Sequence, residues 1–259
     1  AKSFRDGDLA KAEQDCARAV EIAPFDFDAL HLLGVIRGKR GMQEEALGLF
    51  DRALAIRPSQ PDALTNRGSA LLELGRCEDA LRAYDLSLRS RPDHPSTHNK
   101  RGCALLALGR DEEALAAFGQ AVVGDSDNVD YINNLGRALA ALERYSEAID
   151  CFDDAVALKP DYAAALVNAG IANSDAKNWE AALGYIDRAL EIDPTNENAL
   201  VRRADALHNL RRDKDALAAY DRALELRPRR PAVLAARAAS LLQAERYDEG
   251  MEGCAEALA

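Results

Sequence analysis

The sequence predicts an all-α solenoid built from antiparallel helix pairs, and three residue types that recur with one period predict it. Six of the seven points on a 34-residue lattice carry proline, and Ser126 stands at the seventh. The prolines are Pro24, Pro58, Pro92, Pro160, Pro194 and Pro228. Alanine keeps the same step from Ala12 to Ala216, and glycine keeps it from Gly34 to Gly170. A shared period in three residue types indicates one structural unit repeated along the chain.

The first helix of a unit is predicted from the apolar stripe of residues 27–60. Leu30, Leu33 and Gly34 fall on one helical face, over about 13 residues or roughly 20 Å of helix. Gly41 then supplies a turn, because glycine tolerates the left-handed conformation that ends a helix.

The second helix follows from the stripe of Ala46, Phe50 and Ala53. Gly34 and Ala46 lack bulk where two helix axes come close, and we expect the Phe50 ring to fill that space. Pro58 ends the helix because its ring clashes with the preceding turn.

This pattern resembles the tetratricopeptide repeat family: L-x-x-L-G, a small Ala, an aromatic residue, another Ala and a closing Pro. The match covers essentially the whole chain and is weaker in the last unit, where Gly250 and Cys254 take the places of the Ala and the aromatic residue. The resemblance implies a right-handed superhelical solenoid whose first helices line a concave groove.

The lattice predicts a single repeat array over residues 1–259. Full repeats are expected at 27–60, 61–94, 95–128, 129–162, 163–196 and 197–230. Partial repeats are expected at 1–26, entering within a first helix, and at 231–259. Because neither end carries a polar capping helix, we expect the chain to be a piece of a longer protein or to have its ends covered by a neighbour.

The composition limits the function classes. Lys and Arg total 33 and Asp and Glu total 44, for a formal net charge of −11. An acidic chain without a long basic stretch repels phosphate backbones, so we expect no nucleic-acid partner. No run approaches the roughly 18 apolar residues of a membrane span, so we expect no membrane partner. The five cysteines never form a CxxC pair, which favours reduced thiols and a cytoplasmic location.

Catalytic motifs such as GxxxxGK[ST], GxGxxG, HExxH and GxSxG are absent from the sequence. His94 and His98 have a metal-ligand spacing, but Pro95 lies between them and no third ligand is near, which favours ordinary surface histidines. The acidic run from Asp125 to Asp130 lacks the Gly and Glu of a calcium loop and is better interpreted as a helix cap. We therefore predict no enzymatic activity, no cofactor and no metal.

The candidate binding residues lie on the first helices, on the face away from the second helices. One register of this face holds Asn66, Lys100, Asn134, Asn168 and Arg202. Asn99 and Asn133 flank that register, and Arg137, His208 and Asn209 lie deeper. Three aromatic residues at the start of second helices are favoured as core packing, with binding hot spots as the alternative: Trp179, Tyr145 and Tyr247.

Five of these asparagines form the proposed ladder and lie within helices, where helix propensity gives no reason for them: Asn66, Asn99, Asn133, Asn134 and Asn168. The amide of Asn offers one acceptor and two donors, which can pair with an extended peptide backbone. The pattern resembles the asparagine ladder in the repeat superhelix of O-linked N-acetylglucosamine transferases. It is partial, because Leu32, Lys100, Arg202 and Ala236 interrupt it. A face of solvated polar residues is the alternative interpretation.

We predict a protein-interaction scaffold that binds extended segments of partner proteins in the concave groove, with Lys100, Arg137 and Arg202 favouring acidic segments. Two alternatives stay open. In the first, the array is the substrate-recruiting arm of a larger bacterial glycosyltransferase that resembles the O-linked N-acetylglucosamine transferases. In the second, its uncapped ends stack head to tail, so that the chain self-associates into rings or filaments.

Overall fold

The computed structural model describes residues 9–258, and its contacts divide the chain into two compact units, Ala1–Ser126 (unit 1) and Asp127–Ala259 (unit 2). The prediction of one continuous array stays a prediction. The expected entry within a first helix concerns residues 1–8, which lie outside the part of the chain that the structure describes.

Both units consist of helix pairs, and the residues described contain no strand. Unit 1 holds α1 (Leu9–Ile22), α2 (Phe27–Lys39), α3 (Gln43–Ile56), α4 (Pro61–Glu73), α5 (Cys77–Ser90), α6 (Pro95–Ala107) and α7 (Asp111–Gly124). Unit 2 holds α8 (Val129–Ala141), α9 (Tyr145–Leu158), α10 (Ala163–Asp175), α11 (Trp179–Ile192), α12 (Glu197–Asn209), α13 (Asp213–Leu226), α14 (Pro231–Gln243) and α15 (Tyr247–Leu258). Corresponding helices begin 34 residues apart, which confirms the predicted all-α class and its period.

Contacts within each unit follow the order of the chain. Inside a unit, each described helix packs on the next one, and the first helices of consecutive repeats also touch each other. Because contacts inside a unit join only neighbouring pairs, each repeat is stabilised by the repeat before it and the one after it. One face of every first helix is therefore not covered by its own second helix.

Five of the described helix pairs close on a bare glycine, as predicted for Gly34 and Phe50, whereas buried alanines, Ala204 and Ala238, take that place in the last two. A Cβ atom placed on Gly34 would lie 2.7 Å from the Phe50 ring, and one placed on Gly68 would lie 2.5 Å from the Tyr84 ring. Gly102, Gly136 and Gly170 meet Phe118, Phe152 and Ile186 in the same way, each at 2.6 Å. The aromatic or Ile side chain thus occupies the space that any larger residue would need.

The turn between the helices of a pair has a left-handed residue in both units. Gly41 takes it with φ +79°, as predicted, and Gly75 and Gly109 do the same. In unit 2 the same place is taken by residues with side chains at φ near +60°: Glu143, Lys177, Arg211 and Glu245. The helix end therefore keeps its shape in unit 2, although a Cβ makes that conformation less favourable.

The start of first helices is fixed by caps or by proline. Asp26 and Asn196 accept hydrogen bonds from Ala29 N and Ala199 N at 2.9 and 3.0 Å. The acidic run before α8 does cap a helix, and Asn128 supplies the N-cap, accepting a hydrogen bond from Tyr131 N at 3.3 Å. Three other first helices begin with proline at the first helical position, where its fixed φ suits the helix.

Arg–Asp pairs join the second helix of one repeat to the first helix of the next. Arg67 Nε lies 2.6 Å from Asp51 Oδ1, and Arg203 Nε lies 2.7 Å from Asp187 Oδ1. Each pair is partly exposed, so its contribution to stability is about 0 to 1 kcal/mol. No helix of the described residues is both long and apolar enough to cross a bilayer. The cytoplasmic location stays a prediction.

Replacing a turn glycine and a mid-helix glycine with alanine should have opposite effects on the free energy of unfolding. Gly75→Ala should lower the free energy of unfolding by about 1 kcal/mol, because φ +73° strains a side chain although the space is open. Gly48→Ala, in mid-α3 with equally open space, should raise it by up to about 1 kcal/mol through helix propensity. Urea denaturation of the intact chain measures both, and shifts of the same sign would contradict this account of the turn.

Candidate functional site

Unit 1 has a cavity of about 240 Å³ lined by α2, α3, α4 and α6, on the face where the end of a first helix meets the start of its second helix. Its floor is formed by apolar atoms of Gly34, Val35, Phe50 and Ala70. Its polar lining consists of Lys39, Gln43, Asn66, Ser69, Glu73 and Lys100, and we call it the Lys100 cavity. The structure thus brings together two of the predicted site residues, Asn66 and Lys100.

Unit 2 has a cavity of about 360 Å³ on the corresponding face. Its lining includes Ser174, Asp175, Trp179, Arg202, Asp205, His208, Asn209, Tyr220, Ala236 and Ala239, and we call it the Trp179 cavity. Three predicted site residues meet here: Arg202, His208 and Asn209.

The two cavities occupy the same place in the repeat. Gly38, Lys39, Gln43, Asn66, Ser69 and Glu73 are each followed, four repeats of 34 residues later, by Ser174, Asp175, Trp179, Arg202, Asp205 and Asn209. The position of Gly38 and Ser174 carries Leu72, Leu106 and Leu242 in three other repeats and Ala140 and His208 in the remaining two. The small residue at Gly38 and Ser174 therefore contributes to the space at both cavities.

Lys100 is a half-buried cation that shares its cavity with Glu73 but forms no ion pair with it. Its Nζ donates a hydrogen bond to Ser69 Oγ at 2.8 Å, and no carboxylate of the described residues lies within ion-pair distance of it. Burial lowers the pKa of Lys100, and the nearby Cys103 and Glu73 oppose that shift. The Lys100 cavity therefore presents a positive charge that this chain does not neutralise by contact.

Asn66 uses part of its amide inside the protein. Its Nδ2 lies 2.9 Å from His31 Nε2 on the preceding first helix, and it donates when that ring nitrogen is unprotonated. Burial lowers the pKa of His31, opposed by Asp62 and Asp28, which favours the neutral ring. The Oδ1 atom of Asn66 has no such contact with His31.

The asparagines of unit 2 also pair with one another. Asn168 Nδ2 donates to Asn133 Oδ1 at 2.9 Å, across consecutive first helices, and Asn133 is 5% exposed. Arg137 Nη1 donates to Asn134 Oδ1 at 3.0 Å on the surface of α8. The remaining predicted asparagine, Asn99, is half-buried on α6 in unit 1. Two ladder contacts thus join first helices to each other.

The polar groups of the Trp179 cavity are largely engaged. Asp205 accepts a hydrogen bond from Tyr220 Oη at 2.7 Å and lies 3.8 Å from Arg202 Nη1. Asn209 Nδ2 donates to the main-chain oxygen of Asp205 at 2.8 Å. His208 Nδ1 and Ser240 Oγ are 2.9 Å apart. His208 and Asn209 are therefore held by hydrogen bonds to α14 and α12, whereas the buried Nε of Arg202 has no hydrogen-bond partner among the described residues.

The aromatic residues at the start of second helices differ from one another. Trp179 is half-buried and lines the cavity, and Tyr145 is also half-buried. Tyr247 is 61% exposed, so its interpretation as core packing was wrong; no described helix follows α15 to cover it. The lining residues Gly38, Ser174 and Asp175 were not predicted, although the break in the leucine register at the first two was visible in the sequence.

The histidines with metal-ligand spacing bind protein groups. His94 Nδ1 lies 2.9 Å from Thr97 Oγ1, and His98 Nε2 lies 2.6 Å from the main-chain oxygen of Pro92. Within residues 9–258, no group of three or more His, Cys, Asp or Glu side chains is arranged to hold a metal ion.

The chain belongs to the tetratricopeptide repeat family. Three family models described as tetratricopeptide repeat match it, one at residues 65–130 and 133–197, another at 174–240 and a third at 29–64. Together they span most of the helix pairs described above. A comparison with curated proteins finds no match.

Solved structures with the same fold include three tetratricopeptide or related helical proteins. YrrB, described as a TPR protein with an unusual peptide-binding site, is 24% identical over 73% of this chain and 97% of its own, with a TM-score of 0.60. A tetratricopeptide repeat protein from Parabacteroides merdae is 20% identical over 93% and 95%, with a TM-score of 0.72. The APC/C hetero-tetramer Cut9–Hcn1 is 17% identical over 92% and 47%, with a TM-score of 0.78. At these identities the likeness shows the fold.

The buried Asn133–Asn168 pair predicts a thermodynamic coupling. Asn168→Ala should lower the free energy of unfolding by about 1 to 3 kcal/mol, because it leaves the buried Asn133 acceptor without its partner. The double variant Asn133→Val/Asn168→Ala should recover part of that loss, since Val167 and Val201 stand at the position of Asn133 in the next two repeats. A double-mutant cycle by urea denaturation measures the coupling, and strictly additive losses would contradict it.

Proposed function

We propose that this protein binds extended segments of partner proteins along the uncovered face of its first helices. The observation that carries the proposal is the recurrence of a cavity at the same place of the repeat in two separate units, each lined by polar side chains over an apolar floor or wall. Cavities with a few convergent polar groups are the usual form of a binding site. No step of chemistry by this chain is needed for this function.

The proposed contact residues are the polar side chains of that face. They are Asn66, Asn99, Lys100, Asn133, Asn134, Arg137, Asn168, Arg202, His208 and Asn209. The asparagine amides that bridge first helices retain further donor and acceptor sites, because each amide can make more than one hydrogen bond. We infer that they position the face as well as offering hydrogen bonds to a bound backbone. The resemblance to the glycosyltransferase ladder stays a prediction.

A preference for acidic segments is the finer part of the proposal, and Lys100 supports it most. A half-buried ammonium loses hydration, which a carboxylate from a partner would compensate. Arg202 supports it less, because Asp205 lies 3.8 Å from its guanidinium, and Arg137 already donates to Asn134. The volume of the Lys100 cavity, about 240 Å³, lies below that of drug-sized pockets, which suits a single side chain of a peptide.

The likeness to YrrB agrees with a binding role. That protein is described as having an unusual peptide-binding site, and it shares the fold over 73% of this chain. We extend peptide binding to this chain as part of the proposal, on the cavities and not on the likeness.

Filling the cavities should abolish binding. Peptides selected from a displayed random library on the intact chain should lose affinity by about tenfold or more on either Gly38→Leu or Ser174→Leu, since a buried leucine side chain displaces a bound side chain of similar size. Gly48→Leu, on α3 and in neither cavity, is the matched control and should change affinity less than about twofold. Isothermal titration calorimetry measures the affinities, and circular dichroism checks that each variant keeps its helix content.

The peptides that lose affinity for the Gly38→Leu variant should be rich in Asp or Glu. The same peptides should also bind more weakly to the Lys100→Gln variant. Full binding to the double variant Gly38→Leu/Ser174→Leu, or a library that yields no binder, would contradict the proposed function.

A further inference from the structure

The Trp179 cavity has an aromatic wall beside a carboxylate. Asp175 is the last residue of α10 and Trp179 is the first residue of α11, so the short turn between these helices places both on the rim of one cavity. Trp179 is half-buried, which fixes its ring while leaving part of it accessible. An indole face and a carboxylate are the two groups that attract an organic cation most strongly.

Asp175 is the acid of this cavity that remains unmatched. Asp205 has both the Tyr220 hydroxyl at 2.7 Å and the Arg202 guanidinium at 3.8 Å. Asp175, by contrast, is exposed and has no ion-pair or hydrogen-bond partner among the described residues, and Lys177 in the adjacent turn does not pair with it. A cation entering the cavity would therefore meet a carboxylate that is free to bind it.

A second aromatic residue stands at the place of Trp179 in the preceding repeat. Tyr145 begins α9 one repeat earlier, at the position that corresponds to Trp179. Burial raises the pKa of its hydroxyl, and the charges of Glu143 and Asp175 raise it further.

The equivalent place in unit 1 has the opposite charge. Lys39 stands where unit 2 has Asp175, Gln43 stands where it has Trp179, and Lys100 stands where it has Ala236. Two cations in the lining of one cavity have become a carboxylate and a small residue in the other. The two cavities share a place in the repeat and differ in the side chain they can accept.

We propose that the Trp179 cavity binds a cationic side chain, lysine or arginine, of a partner polypeptide. The aliphatic stem or guanidinium plane of that side chain packs on the Trp179 indole, and its charge pairs with Asp175. The cavity volume of about 360 Å³ accommodates one long side chain. This inference rests on the proposed function, and adds that the partner segment bound in unit 2 carries a basic residue.

Trp179 is the one tryptophan of the chain, so its fluorescence reports on this cavity directly. The probes are blocked pentapeptides, acetyl-Gly-Gly-X-Gly-Gly-amide, with X as Arg, Lys, Gln or Glu, titrated into the intact chain. We expect a saturable change in fluorescence with the Arg and Lys probes, and an affinity for the Arg probe at least about fivefold higher than for the Gln probe.

The Asp175→Asn substitution should weaken binding of the Arg probe by about threefold or more at low salt. Asp161→Asn, another exposed acid of unit 2 outside the cavity, removes the same charge and should leave it unchanged.

Three results would overturn the inference: equal binding of the Arg and Gln probes, tighter binding of the Glu probe, which would assign the cavity to anions through Arg202, or no saturable change with any probe. Failure of the inference is distinguishable from failure of the proposed function. If the Arg probe does not bind but the library peptides still lose affinity for the cavity-filling variants, only the proposed preference for a cation is contradicted. If those variants also have no effect, the proposal of peptide binding is contradicted as well.

Discussion

The close approach of two helices over a bare glycine is the constraint on which the rest of this structure depends. Gly34, Gly68 and Gly102 leave room in the first helix for a ring from the second, and the ring then leaves no room for a Cβ. The second helix is thereby fixed against one side of the first helix. Glycine keeps this place in five repeats and alanine takes it at Ala204 and Ala238, so a small residue buries the same side of each of these first helices.

The candidate binding face follows from that burial. Side chains on the uncovered side are not needed for closing the pair, so they can differ between repeats without changing the fold. Near the end of the first helix, where it meets the start of the second, the leucine of three other repeats gives way to Gly38 and Ser174, and a cavity is present at each. At a neighbouring position Lys39 is replaced by Asp175. One scaffold therefore presents cavities of the same origin and different charge.

The period in the sequence was sufficient to predict the helix pairs, the Gly41 turn and the contact between Gly34 and Phe50, because these depend on residues within one repeat. It was not sufficient for contacts that depend on how neighbouring repeats are rotated, such as Asn66 with His31. Whether an asparagine amide points to a neighbour or to solvent depends on that rotation. The cavities were missed for a related reason: the volume left by Ser174 is defined only by the side chains around it.

The most direct test of the central claim is the sign of one substitution, Gly102→Ala, in urea denaturation of the intact chain. If the Phe118 ring needs the bare backbone, alanine should lower the free energy of unfolding by about 1 to 3 kcal/mol through overpacking. Phe118→Leu should then reduce that penalty in the double variant. If the glycine is merely tolerated, alanine should instead raise the free energy of unfolding by up to about 1 kcal/mol, as in an open helix. That stabilisation would contradict the account.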